Sequence, residues 1–112
     1  MKITRKFILG STFEHGWKAL GLQDNDLRRL QQSLLENPKL GDVIQGTGRL
    51  RKCRFAFEHR GKSGSARVCY VDFEKQETLY LLAVFAKKER ENLSQAERNA
   101  LKKKISWLEE YL

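Results

Sequence analysis

Cysteine, histidine and proline are scarce in this chain, and their scarcity narrows the field. Only two cysteines, Cys53 and Cys69, occur among the 112 residues, and both lie in apolar, strand-like runs. Buried reduced thiols fit that setting better than a disulfide framework. The two histidines, His15 and His59, are far apart, and no Cys/His pair has zinc-ligand spacing, so no metal and no cofactor is expected. The single proline, Pro38, and the lack of Gly/Ser tracts leave no linker, repeat or low-complexity segment. No apolar run is long enough to span a membrane, and the N-terminal "KFILG" has too short an apolar core for a secretory signal. The expectation is therefore a cytoplasmic protein with no membrane partner, forming a single domain over residues 1–112.

Acidic residues are also short in particular places. The net charge is +8, from 22 Lys+Arg against 14 Asp+Glu. From Arg49 to Arg67 there are seven Lys/Arg against Glu58 alone, and from Lys87 to Lys104 seven against Glu89, Glu91 and Glu97. The stretch between them is slightly acidic and largely apolar. Two basic blocks flanking an apolar centre suit a nucleic acid or an acidic protein, provided the fold brings them together.

The pattern predicts an α+β domain. Lys2 to Leu9 reads as a first strand. Ser11 or Thr12 is placed to cap a short helix carrying Phe13, Trp17 and Leu20, which Gly21 ends. Asp24 or Asn25 is placed to cap a second helix, with Leu27, Leu30, Leu34 and Leu35 at helical spacing and Asn37-Pro38 as its stop. These form an N-terminal helical hairpin packed on a small twisted antiparallel sheet. The sheet is a three-strand meander, Leu50–Phe57, Ala66–Phe73 and Thr78–Ala86, plus the N-terminal strand. "LYLLAVFA" is apolar on both faces, as suits a covered strand. A C-terminal helix follows, with Ser94 and Glu97 in capping-box register and Leu101, Ile105, Leu108 and Leu112 on one face. Its run Lys102, Lys103 and Lys104 lies off that stripe and reads as a solvated face.

Strand alternation then sorts the cations. In Leu50–Phe57 the apolar set Cys53, Phe55 and Phe57 faces the helices together with Arg51, which leaves Lys52 and Arg54 projecting from the other face. In a meander the start of the second strand lies beside the end of the third. Arg67 is therefore expected near Lys87 and Lys88, with Lys62 and Arg60 on the adjoining loop. Such a group of cations suits a phosphate: it stabilises the charge that gathers on a pentavalent phosphorane. Were such a site to cleave a phosphodiester, it would also need a base and an acid. A lysine held among other cations is one candidate base, and His59 and Glu89 are others.

The order "LRRLQQSLLENPKLGDVIQGTGRLRKCRFA", "RGKSGSARVCY" and "LYLLAVFAKKERENLSQAE" resembles the RelE/ParE toxin superfamily, in particular its HigB-like branch, over roughly Leu27 to Glu97. The resemblance implies a RelE-like fold and a toxin of a type II toxin–antitoxin system. It also implies a metal-independent mRNA endoribonuclease that acts at the ribosomal A site through attack of the ribose 2′-OH on the adjacent phosphate. By position it makes Lys52, Arg54, Arg67, Lys87 and Lys88 the catalytic set; Arg51, Arg60 and Lys62, basic residues around them, are the expected RNA-binding set. Relatives often have paired tyrosines on the second strand; here Tyr70, a further candidate site residue, is followed by Val71, so a possible base-stacking tyrosine is lost. Arg49 stands where relatives usually have glycine. The implied partners are mRNA, the ribosome and a cognate antitoxin of helix-turn-helix, HigA-like type. Two other functions remain open on such a fold: a ParE-like gyrase inhibitor, and a non-catalytic basic module that binds nucleic acid or a partner.

Overall fold

The computed structural model describes residues 2–58 and 64–112. Strand β1 (Lys6–Leu9) leads into helix α1 (Ser11–Ala19), then α2 (Asp24–Glu36), a two-residue strand β2 (Asp42–Val43), the meander β3 (Arg51–Ala56), β4 (Ser65–Phe73) and β5 (Thr78–Ala86), and helix α3 (Gln95–Tyr111). The five strands lie in the order β1-β5-β4-β3-β2. The meander and β2 pair antiparallel, whereas β1 runs parallel to β5, with Lys6 beside Thr78 and Leu9 beside Leu81. The parallel pairing follows from connectivity: β1 reaches the sheet edge through a long excursion that includes both helices, not through a hairpin.

The helix ends show which caps the chain uses. Ser94 and Glu97 cap α3 reciprocally: Glu97 N–H donates to Ser94 Oγ at 3.1 Å, and Ser94 N–H to the Glu97 carboxylate at 2.8 Å. The starts of the first two helices lie one residue or so earlier than the sequence suggests. Gly10 caps α1 without a side chain, and Gln23 caps α2 in a box closed by Asp26, whose carboxylate accepts from Gln23 N–H at 2.9 Å. Gly21 sits at φ +73°, the left-handed turn that separates α1 from α2.

Both faces of the sheet are covered. On one, Phe13, Trp17, Leu30 and Leu34 of α1 and α2 pack on Cys53, Phe55, Val68, Tyr70, Leu81 and Val84. On the other, Ile105 and Leu108 of α3 and Leu93 pack on Leu50, Val71, Phe73, Leu82 and Phe85. Alternation lets β5 serve both, and a bulge interrupts it: Tyr70 pairs with Leu81 and Cys69 with Ala83, so Leu82 is the extra residue and joins Ala83 on the α3 side. Gly16 is required by close packing, since a Cβ there would lie 2.6 Å from the Val84 carbonyl oxygen. The N-terminal segment is tied down by Arg5, which grips Asp72 of β4 at 2.7 and 3.1 Å with both side chains almost fully buried. No helix among the described residues is long and apolar enough to cross a membrane.

Candidate nucleic-acid site

Register places three cations in one patch. Arg54 of β3 is directly opposite Arg67 of β4, which is directly opposite Phe85 of β5; the next row is Lys52, Cys69 and Ala83. Directly opposed residues share a face, so Lys52, Arg54 and Arg67 project together from the side away from α1 and α2. Two arginines facing one another across a ladder repel. A sheet stabilised for its own sake would avoid that pairing.

The three are held differently. Arg54 is exposed and Lys52 half-buried. The Arg67 side chain is only 12% exposed and donates to Ser65 Oγ at 3.0 Å and to the Ala66 carbonyl at 3.3 Å. Its other terminal nitrogen lies 3.4 Å from the Glu91 carboxylate. Lys52 Nζ donates to the Glu91 backbone carbonyl at 3.0 Å. Arg90 completes the patch: its guanidinium stacks 4.5 Å from the Phe85 ring centre and pairs with Glu97. The hydrogen bond from Arg90, with that from Ser94 N–H, holds the Glu97 carboxyl down to about 2. Arg90 and Glu91 were not singled out in sequence. They lie in the irregular segment after β5, where no periodicity assigns a direction, and the only sequence sign was their place in the second charged block.

The remaining predicted residues lie elsewhere. Lys87, Lys88 and Glu89 are exposed on the turn that follows β5. They line a cavity of about 650 Å³ with Ala19, Leu20, Phe57, Ser65 and Ala86, so this group faces the α1 end of the sheet. The backbone is drawn to the patch all the same, since Lys87 N–H donates to the Ser65 carbonyl at 3.0 Å. Arg51 is off the row: it donates to the Gly41 carbonyl at 2.6 Å and lines a smaller cavity with Lys39, Arg49 and Asp72. Tyr70 is a core residue and is not part of the patch. Its ring is fully buried, its hydroxyl donates to the Pro38 carbonyl at 2.8 Å and accepts from Gly41 N–H at 2.9 Å, and burial pushes its pKa up to about 12. His59, Arg60 and Lys62 lie outside the described residues.

Arg49, unexplained by sequence, has a structural task. Its guanidinium stacks 4.9 Å from the Phe73 ring centre, donates to the Asp72 carbonyl at 2.8 Å and pairs with Glu109 of α3 at 2.9 Å. It fastens the C-terminal helix to the sheet. Cys53 and Cys69 are buried, with burial pushing their thiols to about 11 and about 12, so neither supplies a ready thiolate. Among the described residues no cluster of three His, Cys, Asp or Glu side chains is arranged to hold a metal ion.

The family model described as the RelE toxin of the RelE/RelB toxin–antitoxin system matches residues 6–111. The chain belongs to the RelE family. Among solved structures, it is similar to the toxin RelE of E. coli, an arginine-to-alanine double mutant in the free state. The TM-score is 0.52 at 15% identity, over 81% of this chain and 90% of that one. At that identity the likeness is one of fold: the RelE-like α+β architecture is shared. The basic patch therefore sits on the sheet of a toxin–antitoxin toxin.

Proposed function

We propose that this RelE-family toxin is a metal-independent endoribonuclease that cuts mRNA on the ribosome, and that its motif string makes it a HigB-like member. The observation that carries the reading is the direct opposition of Arg54 and Arg67, with Lys52 on the same face. Cross-strand like charge is unfavourable in the free protein and becomes favourable once a phosphate lies between the cations. In-line attack of the ribose 2′-OH places an extra negative charge on the phosphorane oxygens. Lys52 and Arg67, held by their neighbours, and the exposed Arg54 beside them meet that charge. Arg67 is the best ordered of the three, being fixed by Ser65 and Ala66. Lys87 and Lys88, exposed on the turn after β5, extend the basic surface along the flanking RNA.

The antitoxin in this reading is a helix-turn-helix, HigA-like protein that covers the basic face or blocks access to the ribosome. The test is mapping of mRNA 5′ ends after induction. Wild type is expected to stop growth and leave cuts within codons bearing 2′,3′-cyclic phosphates, and Lys52→Ala with Arg54→Ala to relieve both. Undiminished toxicity of the double variant removes the site assignment. Intact mRNA with a DNA-damage response removes the ribonuclease reading in favour of gyrase.

A further inference from the structure

The cation patch contains a carboxylate, and it belongs to Glu91. Its backbone carbonyl accepts from Lys52 Nζ at 3.0 Å, and its carboxylate lies 3.4 Å from Arg67 Nη2. These contacts place residue 91 against two cations that the proposed reaction needs at the phosphate, its backbone on Lys52 and its carboxylate on Arg67. The carboxylate is 62% exposed, so it is open to an incoming RNA. Glu97, the other acid nearby, is committed to Arg90 and to the cap of α3. Glu89, which sequence offered as a base, lines the cavity at the α1 end.

We infer that Glu91 is the general base of the cleavage reaction, an inference that rests on the ribonuclease reading above. Phosphate bound between Lys52, Arg54 and Arg67 brings the neighbouring ribose against the carboxylate. Glu91 takes the 2′-OH proton as the O2′–P bond forms. The P–O5′ bond breaks, and O5′ leaves with a proton from the Lys52 ammonium. Solvent then restores the proton to Lys52 and removes the one on Glu91, so no cofactor enters the balance. The lysine acts as acid and electrostatic stabiliser, and the glutamate supplies the basicity that guanidinium groups lack.

The test uses full-length protein, programmed ribosomes and a synthetic mRNA under single-turnover conditions. Glu91→Gln preserves shape and an acceptor for Arg67, and is expected to lower the cleavage rate about 100-fold or more with half-saturation unchanged. Glu91→Ala is expected to be equally slow and to regain rate on addition of formate, a small carboxylate that fills the vacated space. Glu110→Gln, an exposed charge-matched change on α3, is expected to cleave like wild type. A fully active Glu91→Gln overturns the inference, as does a loss seen only in half-saturation, or a folded Glu91→Ala that formate does not rescue. Those results leave the ribonuclease reading standing. Wild type that binds the ribosome and leaves the mRNA intact overturns both.

Discussion

Replacing Arg54 by threonine is expected to make the protein more stable and less active at once. Arg54 and Arg67 are directly opposite, which sets their Cβ atoms about 5 Å apart. Two unit charges about 6 Å apart repel by about 0.7 kcal/mol in water and about 3 kcal/mol at an effective dielectric of 20. Arg54 is exposed and Arg67 is partly neutralised by Glu91, so the low end applies, about 0.5–1 kcal/mol. Threonine keeps a β-branched side chain suited to the strand. For a domain of 112 residues the relief corresponds to a rise of about 2–4 °C in Tm. Thermal melts followed by circular dichroism at low salt should show it, and the gain should shrink at about 0.5 M salt as the repulsion is screened. Cleavage should fall about 10²–10³-fold, the usual effect of removing one preorganised stabiliser. A lower Tm at low salt would show that Arg54 holds the sheet together. Full activity would show that the opposed pair is incidental to function.

Three further outcomes follow from the packing. Asp72→Ala strands the buried Arg5 guanidinium and should cost about 3 kcal/mol in urea unfolding. Arg49→Gly removes a part-exposed ion pair, a ring stack and a bond to the Asp72 carbonyl. The combined loss should be about 1–2 kcal/mol, with faster amide exchange along α3 than along β4. Glu97, whose folded pKa is depressed from 4.5 to about 2 by Arg90 and Ser94, favours folding above pH 4.5 and loses that contribution as the pH falls towards 2. Glu97→Gln should therefore flatten the acid limb of stability measured by denaturant titration.

Much of the patch was legible because strand alternation is a strict rule. "LRKCRF" divides into an apolar and a basic set without any tertiary information, and the short polar link after Phe73 gives β4 and β5 their order. The capping box at Ser94 was equally local. What escaped depended on contacts between distant segments. Gln23 is a weak capping residue by type, and acts as one because Asp26 completes the box. Arg49 has meaning only when Phe73 and Glu109 arrive beside it. Tyr70 sits on a strand covered on both faces, so its place in the core depends on both helical layers arriving over the sheet. Arg90 and Glu91 sit in a segment without period, so only the fold shows that they turn back over Phe85 and Arg67.

The contact between Gly16 and the Val84 carbonyl has a mechanical consequence. With no side chain between them, α1 and the end of β5 are geared together, and β5 runs straight on into the turn that presents Arg90 and Glu91. A methyl group added at Gly16 would force backbone apart by roughly half an ångström in a tightly packed interior. That displacement has little room to dissipate before Phe85, on which Arg90 rests. A half-buried glycine against the opposite face of the sheet thus acts as a shim that sets the height of the charged patch, and drift there would detune the site without touching any residue in it.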